Sequence, residues 1–276
     1  MPMVAFPYYG GKNSQLSWLL PLLPPTERRV SPFGGSAAVL LNMPITKIEV
    51  YNDLDKEVVD FFEVLRDNYE DLNHLLQLTP YSREEFIRCR DADPVDDKTE
   101  MARRFFVKAR QSFMGTRRSW ATSLQVRNGW SQMLSRWTNG IEGLEPISLR
   151  IQHYIIECRP ALEIIFLYDT PETFMYLDPP YLHSTRTTQK DYAFEMTEQD
   201  HIKMLEQIKV CDSKIALSGY DNDLYNKYLK DWFRFEDVEK QLAGPRGFRK
   251  EILWTNYDYS EIREMNQRSI LDFGKV

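Results

Sequence analysis

Residues 174–181 have the sequence Phe-Met-Tyr-Leu-Asp-Pro-Pro-Tyr, and this stretch decides how the rest of the chain is interpreted. The apolar run indicates a short buried strand, which the two prolines end because each lacks a backbone N–H and fixes its own φ. The turn presents the carboxylate of Asp178, a backbone carbonyl and the ring of Tyr181. Ligands bind at the carboxyl ends of strands in open α/β sheets, and acceptors beside a ring suit a flat, amine-bearing ligand such as a nucleobase. The alternative is a structural turn with Tyr181 packed on the core.

A second turn, with two adjacent glycines, lies near the N-terminus. Residues 31–36 have the sequence Ser-Pro-Phe-Gly-Gly-Ser, between a predicted strand and a predicted helix over 37–43, and a second strand over 47–51 ends in Asn52-Asp53. Nucleotide-binding βαβ units combine a glycine turn with an acid about 20 residues later that accepts hydrogen bonds from the ribose. The third glycine of a dinucleotide motif is missing, which favours a mononucleoside-type ligand. A purely structural glycine turn remains the alternative.

The segment before these elements is a further candidate for ligand binding. Residues 6–12, Phe-Pro-Tyr-Tyr-Gly-Gly-Lys, precede a predicted helix over 13–23. They lack the six-residue frame of a phosphate-binding P-loop. A loop that leads into a helix N-terminus still attracts a carboxylate or a phosphate, because the helix dipole and unpaired N–H groups favour negative charge there.

Length and composition are ordinary for a soluble globular protein. It has 276 residues, 42% of them hydrophobic and 28% charged, which is ample for one large domain or one domain with an insert. The first ten residues do not have the pattern of a signal peptide, and the apolar run over 18–23 is too short to span a membrane. Three scattered cysteines predict neither a disulfide framework nor a zinc site. We therefore expect a cytoplasmic protein without a metal.

The charge is distributed unevenly along the chain. The net charge is −6, but residues 101–150 contain nine basic and two acidic residues, a local charge of +7 that leaves −13 for the remainder. The basic residues are Arg103, Arg104, Lys108, Arg110, Arg117, Arg118, Arg127, Arg136 and Arg150. Basic and aromatic residues interleaved over 114–140, among them Trp120, Trp130 and Trp137, are typical of a surface that contacts DNA. The alternative is a solvated insert whose tryptophans pack in its own core.

Periodicity divides the chain into an α/β body and an insert. Apolar positions at helical spacing predict one or two helices over 55–76 and another over 99–113, while 81–98 is polar and 114–140 is irregular. Alternation of strands and helices returns at 151, and Thr197 to Asp200 forms a capping box. The predicted elements are a strand over 151–158, helices over 160–168, 197–209 and 222–231, a strand over 214–219 and a hairpin of strands over 233–240 and 250–257. The body is thus 1–67 plus 151–276, and the insert is 68–150.

The order of these parts resembles the S-adenosylmethionine-dependent N6-adenine DNA methyltransferases of the Dam type, the D12 class. The resemblance rests on Tyr8-Tyr9-Gly10-Gly11-Lys12, Pro32-Phe33-Gly34-Gly35, Asn52-Asp53, the inserted module and Asp178-Pro179-Pro180-Tyr181. It implies an α/β fold, namely a seven-stranded Rossmann-like methyltransferase sheet with a reversed terminal strand and an inserted, mostly helical target recognition domain. It also implies site-specific methyl transfer from S-adenosylmethionine to the N6 of adenine in double-stranded DNA.

The resemblance further implies roles for individual residues. Asp178 and the Pro179 carbonyl would accept hydrogen bonds from the adenine amino group, and Tyr181 would stack on the extruded base beside Pro180. Asp53 would hold the ribose. The remaining cofactor-binding residues implied are Tyr8, Gly11, Lys12, Phe33, Gly34, Gly35, Ser36, Leu54, Arg159 and Asp178, the last of which also belongs to the catalytic set. The DNA-binding residues expected in the insert are Arg110, Arg117, Arg118, Trp120, Arg127 and Asn128.

Three residues depart from the family pattern. Ser31 stands where an acid is frequent, Ala37 where a glycine is frequent, and Pro160 where a polar residue commonly faces the cofactor. These departures concern the cofactor contacts and leave the catalytic turn intact. Two other functions stay open, namely a catalytically weak DNA-binding protein on a methyltransferase scaffold and an N6-adenine methyltransferase of RNA. We expect a monomer in solution, with a dimer on DNA as the alternative.

Overall fold

The protein has an α/β fold built on a seven-stranded sheet. We describe it from a computed structural model, which covers residues 2–127, 129–182, 195–237, 242–244, 247–249, 251–260 and 262. The strands are β1 (Arg28–Ser31), β2 (Ile48–Asn52), β3 (Val126–Arg127), β4 (Trp130–Ser131), β5 (Tyr154–Glu157), β6 (Thr173–Leu177), β7 (Lys214–Tyr220), β8 (Phe233–Glu236), β9 (Leu242–Gly244), β10 (Gly247–Arg249) and β11 (Glu251–Thr255).

The sheet has the strand order β5-β2-β1-β6-β7-β11-β8. β1 pairs in parallel with β2 and β6, and β6 pairs in parallel with β7. β11 is antiparallel to both β7 and β8, which confirms the expected methyltransferase sheet with a reversed terminal strand. β3 with β4 and β9 with β10 form separate antiparallel pairs outside this sheet.

Helices make up a large share of the remaining described chain. They are α1 (Leu16–Leu19), α2 (Ala38–Leu41), α3 (Lys56–Asp67), α4 (Tyr69–Gln77), α5 (Arg83–Asp91), α6 (Lys98–Arg110), α7 (Gln132–Glu142), α8 (Leu144–Ile151), α9 (Ala161–Leu167), α10 (Glu198–Ile208) and α11 (Asp223–Tyr228). The helix expected over 13–23 is instead α1 flanked by single 3₁₀ turns at Lys12–Ser14 and Leu20–Leu22. Pro21 lies inside the second turn, and a proline cannot continue an α-helical hydrogen-bond ladder.

The chain divides into two units that differ from the predicted domain boundaries. The first unit comprises Met1–Ser14, Gly35–Met43 and Asp55–Cys158, and the second comprises Gln15–Gly34, Pro44–Leu54 and Arg159–Val276. The expected insert, residues 68–150, lies wholly within the first unit. That unit also takes in N-terminal segments that the sequence assigned to the catalytic domain, so the functional boundary stays a prediction.

The core of the second unit covers a face of the sheet. Val30, Met175 and Leu217, on three strands, are each no more than 1% exposed, and helices α9 to α11 contribute apolar side chains to the same cluster. β6 is buried along its whole length. Two-sided burial is what a central strand of a parallel sheet requires, and it explains the unbroken apolar run before Asp178.

The core of the first unit is aromatic. Phe6, near the N-terminus, packs edge-on against Phe61 of α3 and Phe105 of α6, with ring centroids 5.4 and 5.0 Å apart. Edge-to-face pairs add to the free energy gained by burial itself. Trp137 of α7 also packs here, against Phe106, and its indole donates to the Thr79 carbonyl at 3.2 Å. One of the three tryptophans is therefore part of a core, as predicted by the alternative in which the tryptophans of the insert pack in its own core.

Candidate active site

The predicted catalytic turn lies at the carboxyl-terminal edge of the parallel strands. β1 and β6 are neighbours at the point where the strand order turns back, with β2 beyond one and β7 beyond the other. Ligands bind in α/β sheets at such a switch point. The glycine turn follows β1 and Asp178 follows β6, so the sheet brings the two predicted loops of the second unit to one edge.

Asn52, the last residue of β2, ties this edge together. Its side-chain amide donates to the Pro32 carbonyl at 2.8 Å and to the Arg159 carbonyl at 3.0 Å, and its oxygen accepts from the Arg159 N–H at 2.9 Å. Asn52 is 1% exposed, and these bonds satisfy its amide. The loops after β1 and before α9 are thereby fixed next to Asp53. The sequence does not predict this role of Asn52, because the bonds depend on the direction of its side chain.

Gly34 is required by a close approach of the backbone to β2. Its N–H donates to the Asn52 carbonyl at 2.7 Å. A Cβ at this position would lie 2.2 Å from Cε2 of Tyr51, a residue that is 1% exposed and has no room to move. The turn after β1 therefore presents peptide groups rather than a side chain, which is how glycine turns let a nucleotide approach the backbone.

A buried tyrosine lies close enough to Asp178, the predicted catalytic carboxylate, to interact with its charge. Tyr225 of α11 is 2% exposed, and its hydroxyl is 2.8 Å from Nδ1 of His201. Burial raises the pKa of Tyr225, and the negative charge of Asp178 raises it further, so the phenol stays neutral. Neither Tyr225 nor His201 was predicted, because each is separated in sequence from the motif and reaches it only through the fold.

Tyr181 lies in the same turn as Asp178. It is 6% exposed, its ring contacts that of Tyr220 and its hydroxyl donates to the carboxylate of Glu251. Among the other predicted residues of this unit, Leu54 is 43% exposed and Arg159 is exposed.

The predicted N-terminal loop forms a separate group in the first unit. The Gly11 N–H donates to the Tyr8 carbonyl at 2.9 Å, and a Cβ at Gly11 would lie 3.0 Å from that oxygen and 3.5 Å from Oγ of Ser36. Gly35 has φ +48°, and a Cβ at this position would lie 3.0 Å from Cε1 of the Tyr8 ring. Lys12 is 3% exposed, with Nζ 3.4 Å from the Gly10 carbonyl. The structure thus brings together four of the predicted residues, namely Tyr8, Gly11, Gly35 and Ser36.

Arg110 holds this loop in place. Its guanidinium donates to the carbonyls of Val4 and Ala5 at 2.9 and 2.8 Å and lies over the ring of Phe106. Burial lowers the pKa of Arg110 to about 10, which still leaves it charged at neutral pH. Arg110 was predicted to contact DNA; the structure instead shows it bound to the N-terminal segment of its own chain.

Many of the other basic residues have acidic partners within the first unit. Arg103 pairs with Glu85 and Glu100, and Lys108 pairs with Glu57. Arg117 pairs with Asp55 at 2.6 Å and with Glu57 at 3.0 Å. Residues 68–100 contain nine acidic and four basic residues, so the expected insert carries +2 although 101–150 alone carries +7. The local excess is largely compensated by acids outside that window.

Of the described residues that were predicted to bind DNA, only some are exposed. Arg118 is exposed, and β3 and β4 form a short ladder on which Trp130 is 70% exposed. Trp120 contacts the Tyr81 ring and lies 4.8 Å from the guanidinium of Arg83. The side chain of Arg127, and Asn128 as a whole, lie outside the described residues.

The three residues that depart from the expected pattern lie in different local environments. Ala37 has φ 56°, the left-handed region that glycine adopts without strain, and it is the N-cap of α2. Ser31 is 4% exposed, with Oγ 3.4 Å from the Phe33 carbonyl. Pro160 is the N-cap of α9. Of these, Ala37 is strained, since it keeps a backbone conformation suited to glycine.

Two kinds of structure are absent from the described residues. None of the helices that the structure describes combines the length and the apolar character that a bilayer crossing needs. Among the same residues, no three His, Cys, Asp or Glu side chains are grouped so that they could hold a metal ion.

Comparison with known proteins shows the family to which the chain belongs. The family model for the D12 class N6 adenine-specific DNA methyltransferases matches residues 8–243. The chain is also similar to the type II methyltransferase M1.LlaDCHI of Lactococcus lactis subsp. cremoris, with 27% identity over 273 residues that cover 90% of this chain and 93% of the relative. The family match spans both units, including the glycine turn after β1 and the turn after β6.

Proposed function

Since the chain belongs to the D12 class of N6 adenine-specific DNA methyltransferases, which transfer a methyl group from S-adenosylmethionine to adenine in DNA, we propose that residues 178–181 carry the transfer. Asp178 and the Pro179 carbonyl accept hydrogen bonds from the N6 amino group, and Tyr181 stacks on the extruded base. Pro180 keeps the turn rigid. The observation that carries this proposal is the position of Asp178 at the end of β6, at the switch point of the sheet.

The chemistry of N6 explains why acceptors are needed. Its lone pair is delocalised into the adenine ring, so the amino group is a poor nucleophile. Two acceptors on the amino hydrogens favour a pyramidal nitrogen whose lone pair is available for bond formation. With the donor bound, the new N–C bond would form as the bond between the methyl carbon and the sulfonium sulfur breaks, with S-adenosylhomocysteine as the leaving group. The Asp178 carboxylate is the proposed acceptor of the amino proton that N6 loses. Orientation of two reactants can contribute roughly 7–11 kcal/mol, so no covalent enzyme intermediate is needed.

The residues of the second unit suit the nucleoside part of the methyl donor. S-adenosylmethionine supplies an electrophilic methyl group when it is bound. We propose that Asp53 accepts hydrogen bonds from the ribose hydroxyls and that Phe33, Leu54 and Arg159 flank the adenosyl group. The fit is supported by Gly34, where peptide groups rather than a side chain line the turn, and by Asn52, which fixes the neighbouring loops.

The N-terminal loop of the first unit suits the other end of the donor. We propose that Tyr8, Gly11, Lys12, Gly35 and Ser36 bind the methionine part. Support comes from the glycine at position 11, whose Cβ would crowd the Tyr8 carbonyl, and from the buried lysine beside it. A lysine ammonium is a suitable partner for a carboxylate.

DNA contacts are proposed for the exposed surface of the first unit. The adenine must leave the duplex, which costs a few kcal/mol, and phosphate contacts offset part of that cost. Arg118 is exposed, and so is Trp130 of the β3–β4 ladder. We include Arg127 and Asn128 in the proposed contact set on the sequence pattern. Arg110, Arg117 and Trp120 are engaged within the protein, so we leave them out of the proposed contact set.

Replacing Asp178 tests the proposed catalytic turn. In Asp178→Ala, methyl transfer from tritiated S-adenosylmethionine to duplex DNA should be abolished, while the dissociation constant for the donor stays within a few-fold of wild type. Asp231→Ala, an exposed acid of the same unit, should behave as wild type. Near-normal turnover of Asp178→Ala would remove residues 178–181 from the reaction. A wild-type chain that binds DNA without transferring methyl groups would favour the binding-protein alternative, and preference for RNA in competition would favour the RNA alternative.

The biological setting is a separate proposal. The relative from Lactococcus is a type II methyltransferase, and we propose that this chain likewise modifies a specific sequence that a restriction enzyme cuts. Genomic DNA from cells that express the chain should carry methylated adenines in one sequence context and resist cutting there. We further propose that it acts in the cytoplasm as a monomer; light scattering with and without duplex DNA would reveal a dimer on DNA.

A further inference from the structure

Tyr181 is held from two directions within the second unit. Its hydroxyl donates a hydrogen bond to the Glu251 carboxylate. Its ring meets that of Tyr220 edge-to-face, with centroids 4.6 Å apart and planes at 71°. The phenol oxygen lies on the long axis of the ring, so the carboxylate fixes where that axis points. The contact with Tyr220 restricts rotation about the axis, and together the two contacts define the plane of the ring.

The sheet brings these three residues together. Tyr220 is the last residue of β7 and is paired in register with Glu251, the first residue of β11. Because β11 is antiparallel, its first residue lies at the edge where the parallel strands β6 and β7 end. The turn after β6 and the adjacent strands β7 and β11 thus each contribute one member, and Glu251 is 70 residues from Tyr181 along the chain.

Glu251 is an unusual residue for its position. It is 5% exposed, and the other four residues of β11 are also buried and are Ile, Leu, Trp and Thr. Burial of a carboxylate is unfavourable unless hydrogen bonds compensate for the lost water. An apolar residue would suit the packing of the strand better, so the acid indicates a polar role, and the hydrogen bond from the Tyr181 hydroxyl is one such role.

We propose that Glu251 is a positioning residue for methyl transfer, which fixes the ring of Tyr181 in the orientation that stacks on the extruded adenine, with Tyr220 behind that ring. This inference rests on the proposed role of Tyr181. It predicts that the acceptor oxygen at position 251 matters more than its charge, because what the ring needs is a hydrogen-bond acceptor at a fixed point.

The first test compares variants of Glu251 in full-length protein with duplex DNA. Glu251→Gln keeps an acceptor and should retain kcat within about threefold, whereas Glu251→Leu should lower kcat roughly ten- to 100-fold, as small misplacements of reacting groups do. KM for S-adenosylmethionine should not change in either variant. Equal kcat for the Leu and Gln variants would overturn the proposal.

A thermodynamic cycle covers the case in which Glu251→Leu disturbs folding. Tyr181→Phe removes one oxygen atom and keeps the ring, so it should lower kcat by the same factor as Glu251→Leu, and the double variant should be no worse than either single one. Multiplication of the two effects would show that the residues act independently. With 2-aminopurine in place of the target adenine, Tyr181→Phe should also alter the fluorescence of the bound duplex, and unchanged fluorescence would contradict a role in stacking.

Tyr181→Ala separates failure of this inference from failure of the proposed function. If Tyr181→Ala turns over normally, the ring itself has no role and the proposed catalytic turn fails with it. If Tyr181→Ala loses activity while Tyr181→Phe and Glu251→Leu remain normal, the ring acts without being positioned by Glu251. The second of these two outcomes overturns the inference and leaves the proposed function standing.

Discussion

The guanidinium of Arg117 lies 2.6 Å from the carboxylate of Asp55, the residue that caps the N-terminus of α3. Arg117 also reaches Glu57 in the first turn of that helix and lies over the ring of Phe105. Burial disfavours its charged form, but the charge and the hydrogen bond of Asp55 outweigh burial and raise the pKa of Arg117. Its φ of 62° is a left-handed conformation, which is strained for arginine. These contacts make Arg117 a structural residue, although the sequence predicted a DNA contact.

The adjacent pair Arg117 and Arg118 therefore allows a matched comparison. Arg117→Gln leaves the carboxylates of Asp55 and Glu57 without this partner and should lower the free energy of unfolding by about 1–3 kcal/mol. Arg118→Gln should leave stability within about 0.5 kcal/mol, as surface substitutions usually do. Urea unfolding measures both.

DNA binding should show the opposite pattern. If Arg118 contacts a phosphate, Arg118→Gln should reduce the slope of log Kobs against log salt concentration by about one. Arg117→Gln should leave that slope unchanged in the folded protein. A reduced slope for Arg117→Gln, with wild-type stability, would restore Arg117 to the DNA interface.

The local patterns of the sequence predicted the part of the fold that carries the motifs. The capping box at Thr197 and Asp200 is confirmed, with reciprocal hydrogen bonds of 3.0 and 3.2 Å. The strands before Asp53 and Asp178 were predicted because buried strands show as short apolar runs. What a short run cannot give is the register between distant strands. Glu251 and Tyr220 are neighbours of Tyr181 only once β7 and β11 are paired.

The helices α5 and α7 were missed for a different reason. α5 is mostly charged, and Phe86 and Cys89 are its buried apolar residues, so it shows little helical periodicity. α7 contains Gly140, a poor helix former, whose Cα lies so near Arg110 that a Cβ would come within 2.7 Å of the guanidinium. Packing within the first unit outweighs weak local preference in both cases. The same packing, invisible in sequence, pairs Arg103, Arg104, Lys108 and Arg117 with acids.

The buried ion pair of Glu85 and Arg103 predicts a pH dependence of stability. The two side chains are 8% and 12% exposed, and Oε1 of Glu85 accepts from Arg103 at 2.7 Å. Burial acts to raise the pKa of Glu85, but the hydrogen bonds from Arg103 and Cys89 outweigh it and lower the pKa below its usual value. The unfolded chain then binds more protons than the folded one as the pH falls past the unfolded pKa, about 4.3.

The stability that Glu85 contributes is therefore fully present above that pKa and is lost as the pH falls through the lower folded value. Glu85→Gln should shift the urea midpoint most at pH 7 and progressively less toward pH 3.5. Asp91→Asn is the control, because Asp91 pairs with Arg90 on the surface, where water and salt screen the charges. Its midpoint should differ little from wild type at any pH. If Glu85→Gln lowered the urea midpoint equally at pH 7 and pH 3.5, the carboxylate charge would contribute nothing to stability.

Asp53 tests the donor site independently of the catalytic turn. It directly follows β2, next to the Asn52 that fixes the surrounding loops. If its carboxylate accepts hydrogen bonds from the ribose, Asp53→Asn removes a charge-assisted interaction worth about 1.5–3 kcal/mol, which corresponds to a roughly ten- to 100-fold rise in KM for S-adenosylmethionine. The kcat at saturating donor should stay within a few-fold of wild type, because the residue contacts no reacting atom.

Isothermal titration with S-adenosylmethionine would measure the affinity directly, and Asp67→Asn, an exposed acid at the end of α3, controls for the lost charge. Unchanged affinity in Asp53→Asn would exclude it from the donor site, whereas a large loss of kcat without a change in KM would mean that it acts on the reacting base instead.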